Sequence, residues 1–216
     1  MNLSIRNKRL LIYLLGSIGT GFLLLTIFVM LVPAPLLDRE FSHELQEHQN
    51  PLLDSMMAAI SWFGYPLYAA IMVTGTAFIF FIFNYRREAL YVLLTLTSGL
   101  ISTIIKFLVN RPRPSGPLIR IVGTNRQQSF PSGHVLFYVI FFGFLVLLMF
   151  RLKSISRIIR IIVTAFSMTL IFTVPVSRIY LGAHWFTDVL GGFLLGLICL
   201  YILSYLYLKK KQMAAR

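Results

Sequence analysis

FPSGHVLFYVIFFGFLVLLMF, running from Phe130 to Phe150, is the stretch on which the fold turns. From Val135 to Phe150 it carries no charged residue, and it stops at Arg151. A helix that crosses a bilayer needs about 20 largely apolar residues for roughly 30 Å of hydrocarbon. Five other runs have the same character: Leu10–Val32, Leu67–Phe83, Ala89–Val109, Ile161–Val176 and Trp185–Leu208. The whole chain of 216 residues is 57% hydrophobic and 12% charged, with a mean hydropathy of +0.80. Soluble domains carry about a quarter charged residues, so this composition belongs in lipid. The expected fold class is all-α, an integral membrane bundle of six transmembrane helices. Residues 1–216 read as one domain without internal repeats or low-complexity segments.

The charges between the runs set an expected orientation. Thirteen of the twenty Lys and Arg lie around Arg6–Arg9, Arg86–Arg87, Arg151–Arg160 and Lys209–Arg216. Positive loops stay in the cytoplasm, which places both termini inside and demands an even number of spans. The run Leu10–Val32 exceeds the core of a signal peptide and lacks a small-residue cleavage site, so it reads as a retained first helix. The opposite side receives segment 38–54, with five of the seven acidic residues, and the connections 110–134 and 178–184. Within the first of these, Asn50-Pro51 is a helix start. Leu52, Leu53, Met56, Met57 and Ile60 recur on one face, which predicts a short interfacial helix ending near Gly64-Tyr65-Pro66. The net charge of +13 does not point to nucleic acid, because the charges sit between apolar runs and not on an aromatic-bearing stripe. Cys199, the single cysteine, reads as a packing residue.

Three polar blocks fall on the outer side. The first runs from Lys106 through Arg113-Pro114, the second is Phe130-Pro131-Ser132-Gly133-His134, and the third runs from Ser177-Arg178 through His184 to Asp188. A lysine near the end of an apolar run, and arginines on the side that positive charges avoid, require a reason. In order and spacing the blocks match Lys-x6-Arg-Pro, Pro-Ser-Gly-His and Ser-Arg-x5-His-x3-Asp at every specified position. They resemble the three motifs of the type-2 phosphatidic acid phosphatase superfamily, the lipid phosphate phosphatases, and in particular its bacterial phosphatidylglycerophosphatase B-like members. The motifs span Lys106 to Asp188, so the first two helices and the acidic segment owe nothing to the match.

Taken as chemistry, Lys106, Arg113, Arg178, His134, His184 and Asp188 make an anion pocket. Arginine offers phosphate a planar fork and lysine a point charge. Ser132 and Gly133 add a hydroxyl and backbone N–H groups at the positive end of a helix. His184 and Asp188 are four apart at a helix start and can touch, so the carboxylate can fix the tautomer and free the other ring nitrogen to attack. His184 thus reads as the nucleophile, Asp188 as its orienting group and His134 as the general acid, with Lys106, Arg113, Ser132, Gly133 and Arg178 binding phosphate. The resemblance implies the same roles, with a phosphohistidine at His184. Three cations beside the histidines disfavour a metal ion, and no cofactor is expected.

The expected function is removal of phosphate from a phosphorylated lipid at the external face of the cell membrane. The resemblance implies phosphatidylglycerophosphate as substrate, with undecaprenyl diphosphate and phosphatidic acid as alternatives. A non-catalytic carrier of phosphate groups is the rival of another class, but it has no need of the His184–Asp188 pair. Arg111, Arg120 and Arg126 match no motif position and read as solvated loop charges or lipid head-group contacts. His43 and His48 read as surface residues, and Gly192 and Gly196 as a small-residue pair for close helix packing.

Overall fold

A computed structural model describes residues 5–115, 119–121 and 128–213. The described residues form nine helices: α1 (Ile5–Leu31), α2 (Leu36–Gln46), α3 (Pro51–Trp62), α4 (Pro66–Ile82), α5 (Arg86–Leu94), α6 (Thr97–Val109), α7 (Gly133–Arg151), α8 (Arg157–Tyr180) and α9 (Phe186–Met213). The chain is an all-α, multi-pass membrane protein. Helices α1, α7, α8, α9 and the run Arg86–Val109 are each long and apolar enough to span a bilayer. That last run is α5 and α6 together. They join through a tightened turn in which Thr95 N–H donates to Val92 O (3.0 Å) and Leu96 N–H to Leu93 O (3.1 Å).

The sixth expected run differs from a plain span. Helix α4 has 17 residues, about 25 Å at 1.5 Å per residue, and reaches spanning length only together with α3, from which it is bent by 53°. The expected interfacial helix is α3, and it begins as expected, with Pro51 at its first position and Asn50 accepting from Leu53 N–H at 2.8 Å. Its apolar residues divide between two surroundings. Leu53, Met57 and Ile60 are half-buried, whereas Leu52 and Met56 stay exposed.

Helix α2 has no counterpart in the sequence expectation. Its buried residues are polar, Asp38, Ser42 and Gln46, at intervals of four, while Leu36, Leu37 and Phe41 are exposed. The helix turns a polar stripe inward and leaves Leu36, Leu37 and Phe41 exposed alongside the charged Arg39, Glu40 and Glu44. Gln46 holds it in place, its Nε2 donating to Arg120 O (2.9 Å) and Tyr180 O (2.8 Å) while its Oε1 accepts from Arg120 N–H (3.0 Å).

Helix α7 is the central element, buried along most of its length and packed against α5, α6, α8 and α9. Its approach to α9 depends on Gly192 and Gly196. A Cβ at Gly192 would lie 2.6 Å from Ser132 O, and one at Gly196 would lie 2.7 Å from Val139 Cβ. The starts of α7 and α9 therefore meet at close backbone range. We predict that Gly192→Ala destabilises the protein in detergent by about 1–3 kcal/mol, because a backbone carbonyl cannot step aside as a side chain can. Gly75→Ala, where a Cβ meets nothing within 4 Å, should be neutral or slightly stabilising in the same thermal unfolding assay.

Candidate active site

Four helix ends and two connections carry the polar blocks to one end of the bundle. Lys106 lies in the last turn of α6, which Asn110 ends in the left-handed region (φ 48°). Arg113 follows in the connection, Ser132 precedes α7, and Gly133 and His134 open it. Arg178 lies in the last turn of α8, His184 in the α8–α9 connection and Asp188 in the first turn of α9. Gly182, at φ 64°, makes the turn before His184, and a Cβ there would sit 2.3 Å from Arg120 O. His134 lies within electrostatic reach of Arg178, His184, Arg113 and Lys106, so all eight sequence-selected residues belong to one constellation.

His184 is buried, and its Nδ1 lies 3.6 Å from Asp188 Oδ2, an ion-pair distance longer than a hydrogen bond. Asp188 is already engaged elsewhere. Its Oδ2 accepts from Trp185 N–H at 2.8 Å and from Ser129 Oγ, and its Oδ1 accepts from Arg111 Nη1 at 2.5 Å. Burial, followed by the positive charges of Lys106, Arg113 and Arg178, holds the His184 imidazole well below the ordinary histidine range. A neutral ring with an available lone pair is the consequence at neutral pH. Arg113 is pushed down to about 10, by burial first and the Arg178 charge second, and stays cationic under the same conditions.

The cations are held by the protein backbone and by α3. Lys106 Nζ donates to Gln128 O at 2.6 Å, and Arg113 Nη1 to Ala183 O at 2.7 Å. Arg178 Nη1 donates to Ser61 Oγ at 3.1 Å; Ser61 Oγ lies 2.7 Å from Ser177 Oγ, which donates to Met57 O at 2.6 Å. On the other side, Tyr65 meets the His134 ring edge to face at 5.1 Å. Ser61 and Tyr65 lie outside the motif span and carry no sequence signal that selects them.

Five buried side-chain atoms at this end have no hydrogen-bond partner among the described residues: Ser102 Oγ, Ser132 Oγ, His134 Nε2, Arg178 Nε and His184 Nδ1. Ser102 is one helical turn before Lys106, and a Cβ at Gly133 would lie 3.0 Å from its hydroxyl. Each buried polar group left unmatched costs about 1–3 kcal/mol. Ordered water or a compact, strongly accepting ligand satisfies such a set. A tetrahedral oxyanion meets that description beside three cationic side chains. Among the described residues no group of three or more His, Cys, Asp or Glu is arranged to hold a metal ion.

The expectation for Arg111 is overturned. Its side chain is fully buried, and the guanidinium joins Asp38 Oδ2 (2.6 Å) to Asp188 Oδ1 (2.5 Å), with Nε on Pro33 O at 2.8 Å. Two carboxylates, one of them on α2, draw it out of the loop and into the protein. Arg120 is exposed and pairs with Asp54 at the surface, His43 and His48 are exposed, and Arg126 lies outside the described residues. Arg111→Met leaves two buried carboxylates without their counter-ion and should cost about 3–5 kcal/mol of stability in detergent. Arg120→Met, at a pair whose side chains are 42% and 26% exposed, should cost no more than about 1 kcal/mol in the same denaturation measurement.

Comparison with known proteins agrees with this architecture. Residues 87–212 match the PAP2 superfamily. The chain is 31% identical over 166 residues to phosphatidylglycerophosphatase B of Bacillus subtilis, covering 72% of this chain and 76% of that one. It is 27% identical over 167 residues to lipid phosphate phosphatase delta of Arabidopsis thaliana, covering 72% of this chain and 39% of the relative. The crystal structure of the transmembrane PAP2-type phosphatidylglycerolphosphate phosphatase of Bacillus subtilis superposes with a TM-score of 0.75 at 25% identity, over 90% of this chain and 96% of that one. LpxE of Aquifex aeolicus shares the fold at a TM-score of 0.61 and 21% identity, over 81% of this chain and 98% of that one. On the family match and the Bacillus subtilis relative together, the chain belongs to the PAP2 superfamily.

Proposed function

We propose that this membrane lipid phosphatase of the PAP2 superfamily removes the terminal phosphate of phosphatidylglycerophosphate at the outer face of the membrane. The observation that carries the reading is the gathering of Lys106, Arg113 and Arg178 around His134 and His184, with Ser132 Oγ, His134 Nε2 and Arg178 Nε unmatched among the described residues. The substrate preference rests on the Bacillus subtilis relative, whose name and solved structure both specify that activity.

In the proposed reaction the terminal phosphate enters with its oxygens on Lys106, Arg113 and Arg178 and on the Ser132 hydroxyl and Gly133 N–H at the start of α7. Asp188 on the Nδ1 side favours the tautomer that leaves the His184 Nε2 lone pair free. Nε2 attacks phosphorus as the bond to the lipid oxygen breaks, and His134 as imidazolium donates its proton to that oxygen. The neutral His134 then takes a proton from water, whose oxygen attacks the phosphohistidine. The phosphorus–nitrogen bond breaks, phosphate leaves and both histidines return to their starting states. Charge on the transferring group spreads over the equatorial oxygens, where the three cations stabilise it.

Two experiments test the proposal. Phosphate release is measured in excess EDTA on purified protein with phosphatidylglycerophosphate, undecaprenyl diphosphate and phosphatidic acid. The first should give the highest kcat/KM, and His184→Ala should retain less than about a hundredth of it. Comparable turnover by His184→Ala would remove it as nucleophile, and a preference for another lipid would reassign the substrate. Sidedness follows from the distribution of Lys and Arg. In a Cys199→Ser background, Glu47→Cys after α2 should react with a membrane-impermeant thiol reagent on intact cells, and Lys153→Cys between α7 and α8 only after the membrane is opened. The reverse pattern would place the reaction in the cytoplasm.

A further inference from the structure

We propose that Asp38, on helix α2, is a positioning residue for the His184–Asp188 pair and acts through Arg111. The proposal rests on the assignment of His184 as nucleophile and Asp188 as its orienting group. Asp38 is fully buried and lies outside both the three motifs and the matched residues 87–212. Its Oδ2 accepts from Arg111 Nη2 at 2.6 Å and from Thr187 Oγ1 at 2.7 Å, and its Oδ1 accepts from Thr187 N–H at 2.8 Å. Thr187 is the residue before Asp188, so one carboxylate fixes both the guanidinium and the chain position from which Asp188 projects.

Geometry transmits the constraint. A guanidinium is a rigid plane of donors, so holding Nη2 on Asp38 and Nε on Pro33 O sets the direction of Nη1. Nη1 donates to Asp188 Oδ1 at 2.5 Å and to Thr187 Oγ1 at 2.7 Å, which fixes the rotation of the Asp188 carboxylate. The other oxygen of that carboxylate faces His184 Nδ1 at 3.6 Å. Without Asp38, Arg111 keeps a single carboxylate partner and is free to draw Asp188 away from the imidazole. The hydrogen bonds of Asp38 go to Arg111 and Thr187, neither of which contacts the phosphate in the proposed reaction, so substrate binding should be spared while the chemical step suffers.

The test uses full-length protein in detergent, with Asp38→Asn, Asp38→Glu and Asp188→Asn. Steady-state phosphate release from phosphatidylglycerophosphate is paired with 15N spectra of the imidazole nitrogens, the His184 signals being identified by their loss in His184→Gln. For Asp38→Asn we expect kcat to fall at least about tenfold, KM to stay within about twofold, and the His184 nitrogens to shift from a single tautomer toward a mixture. Asp38→Glu, which keeps the charge on a longer arm, should be intermediate in both readouts. If Asp38→Asn does not fold, Asp38→Glu alone decides, by whether kcat and the His184 spectrum move together. Wild-type kcat in the folded variant would overturn the proposal. So would a reduced kcat with an unchanged His184 spectrum, since α2 would then be only a structural support. Asp188→Asn separates the two levels: if it too leaves kcat and the His184 spectrum unchanged, the underlying assignment fails, and not only the part given to Asp38.

Discussion

A single buried guanidinium, shared between two carboxylates from distant parts of the chain, is the constraint on which this end of the protein depends. Arg111 joins Asp38 on α2 to Asp188 on α9, and its backbone carbonyl accepts from Ser129 N–H at 2.8 Å. Ser129 in turn donates through Oγ to Asp188, and Ser132 N–H donates to Asp188 O at 2.9 Å. Helices α2, α7 and α9 and the connection after α6 are thereby tied within a few bonds. Isolated buried charges are prohibitively expensive; here two acids and one base satisfy each other with several hydrogen bonds. The triad carries one net negative charge beside Lys106, Arg113 and Arg178, which helps a cluster of like charges persist away from bulk water.

This arrangement separates support from reception. Arg111 and Asp38 are saturated by protein partners, so they can hold geometry but have little left to offer a ligand. Ser132 Oγ, His134 Nε2 and Arg178 Nε are unmatched among the described residues and belong to groups that meet the phosphate in the proposed reaction, whereas the unmatched His184 Nδ1 faces Asp188. Helix ends suit the receiving role because their backbone groups are themselves unsatisfied and their dipoles favour an anion at the start of α7. The close α7–α9 packing allowed by Gly192 keeps both helix starts at one level.

Much of this was legible in the sequence because the chemistry restricts residue type. Lys106, Arg113, His134, Arg178, His184 and Asp188 are costly near lipid, and their positions beside apolar runs mark them. Five crossings were legible from the same runs, and the sixth run falls on α4, which reaches spanning length only with α3 across a bend. Arg111 was misread because Lys-x6-Arg-Pro assigns its specified place to Arg113, two residues on, and nothing local distinguishes a buried arginine from a loop charge. Its partner Asp38 is 73 residues away. Helix α2 escaped notice for a different reason: hydrophobic periodicity assumes water outside and an apolar core inside, and α2 buries Asp38, Ser42 and Gln46 while exposing Leu36, Leu37 and Phe41. A polar stripe recurring every four residues in a membrane protein is the signal that would find it.

The central claim is that this end of the bundle transfers phosphate to His184 before water receives it. Rapid quenching of the purified enzyme with lipid labelled in its terminal phosphate, followed by peptide mapping under alkaline conditions, tests that claim directly. The account predicts a label that appears within the first turnover, is stable to base and lost in acid as a phosphorus–nitrogen bond should be, and maps to the peptide containing His184. Label on any other residue, or first-turnover release of phosphate with no labelled protein at any quench time, would contradict it.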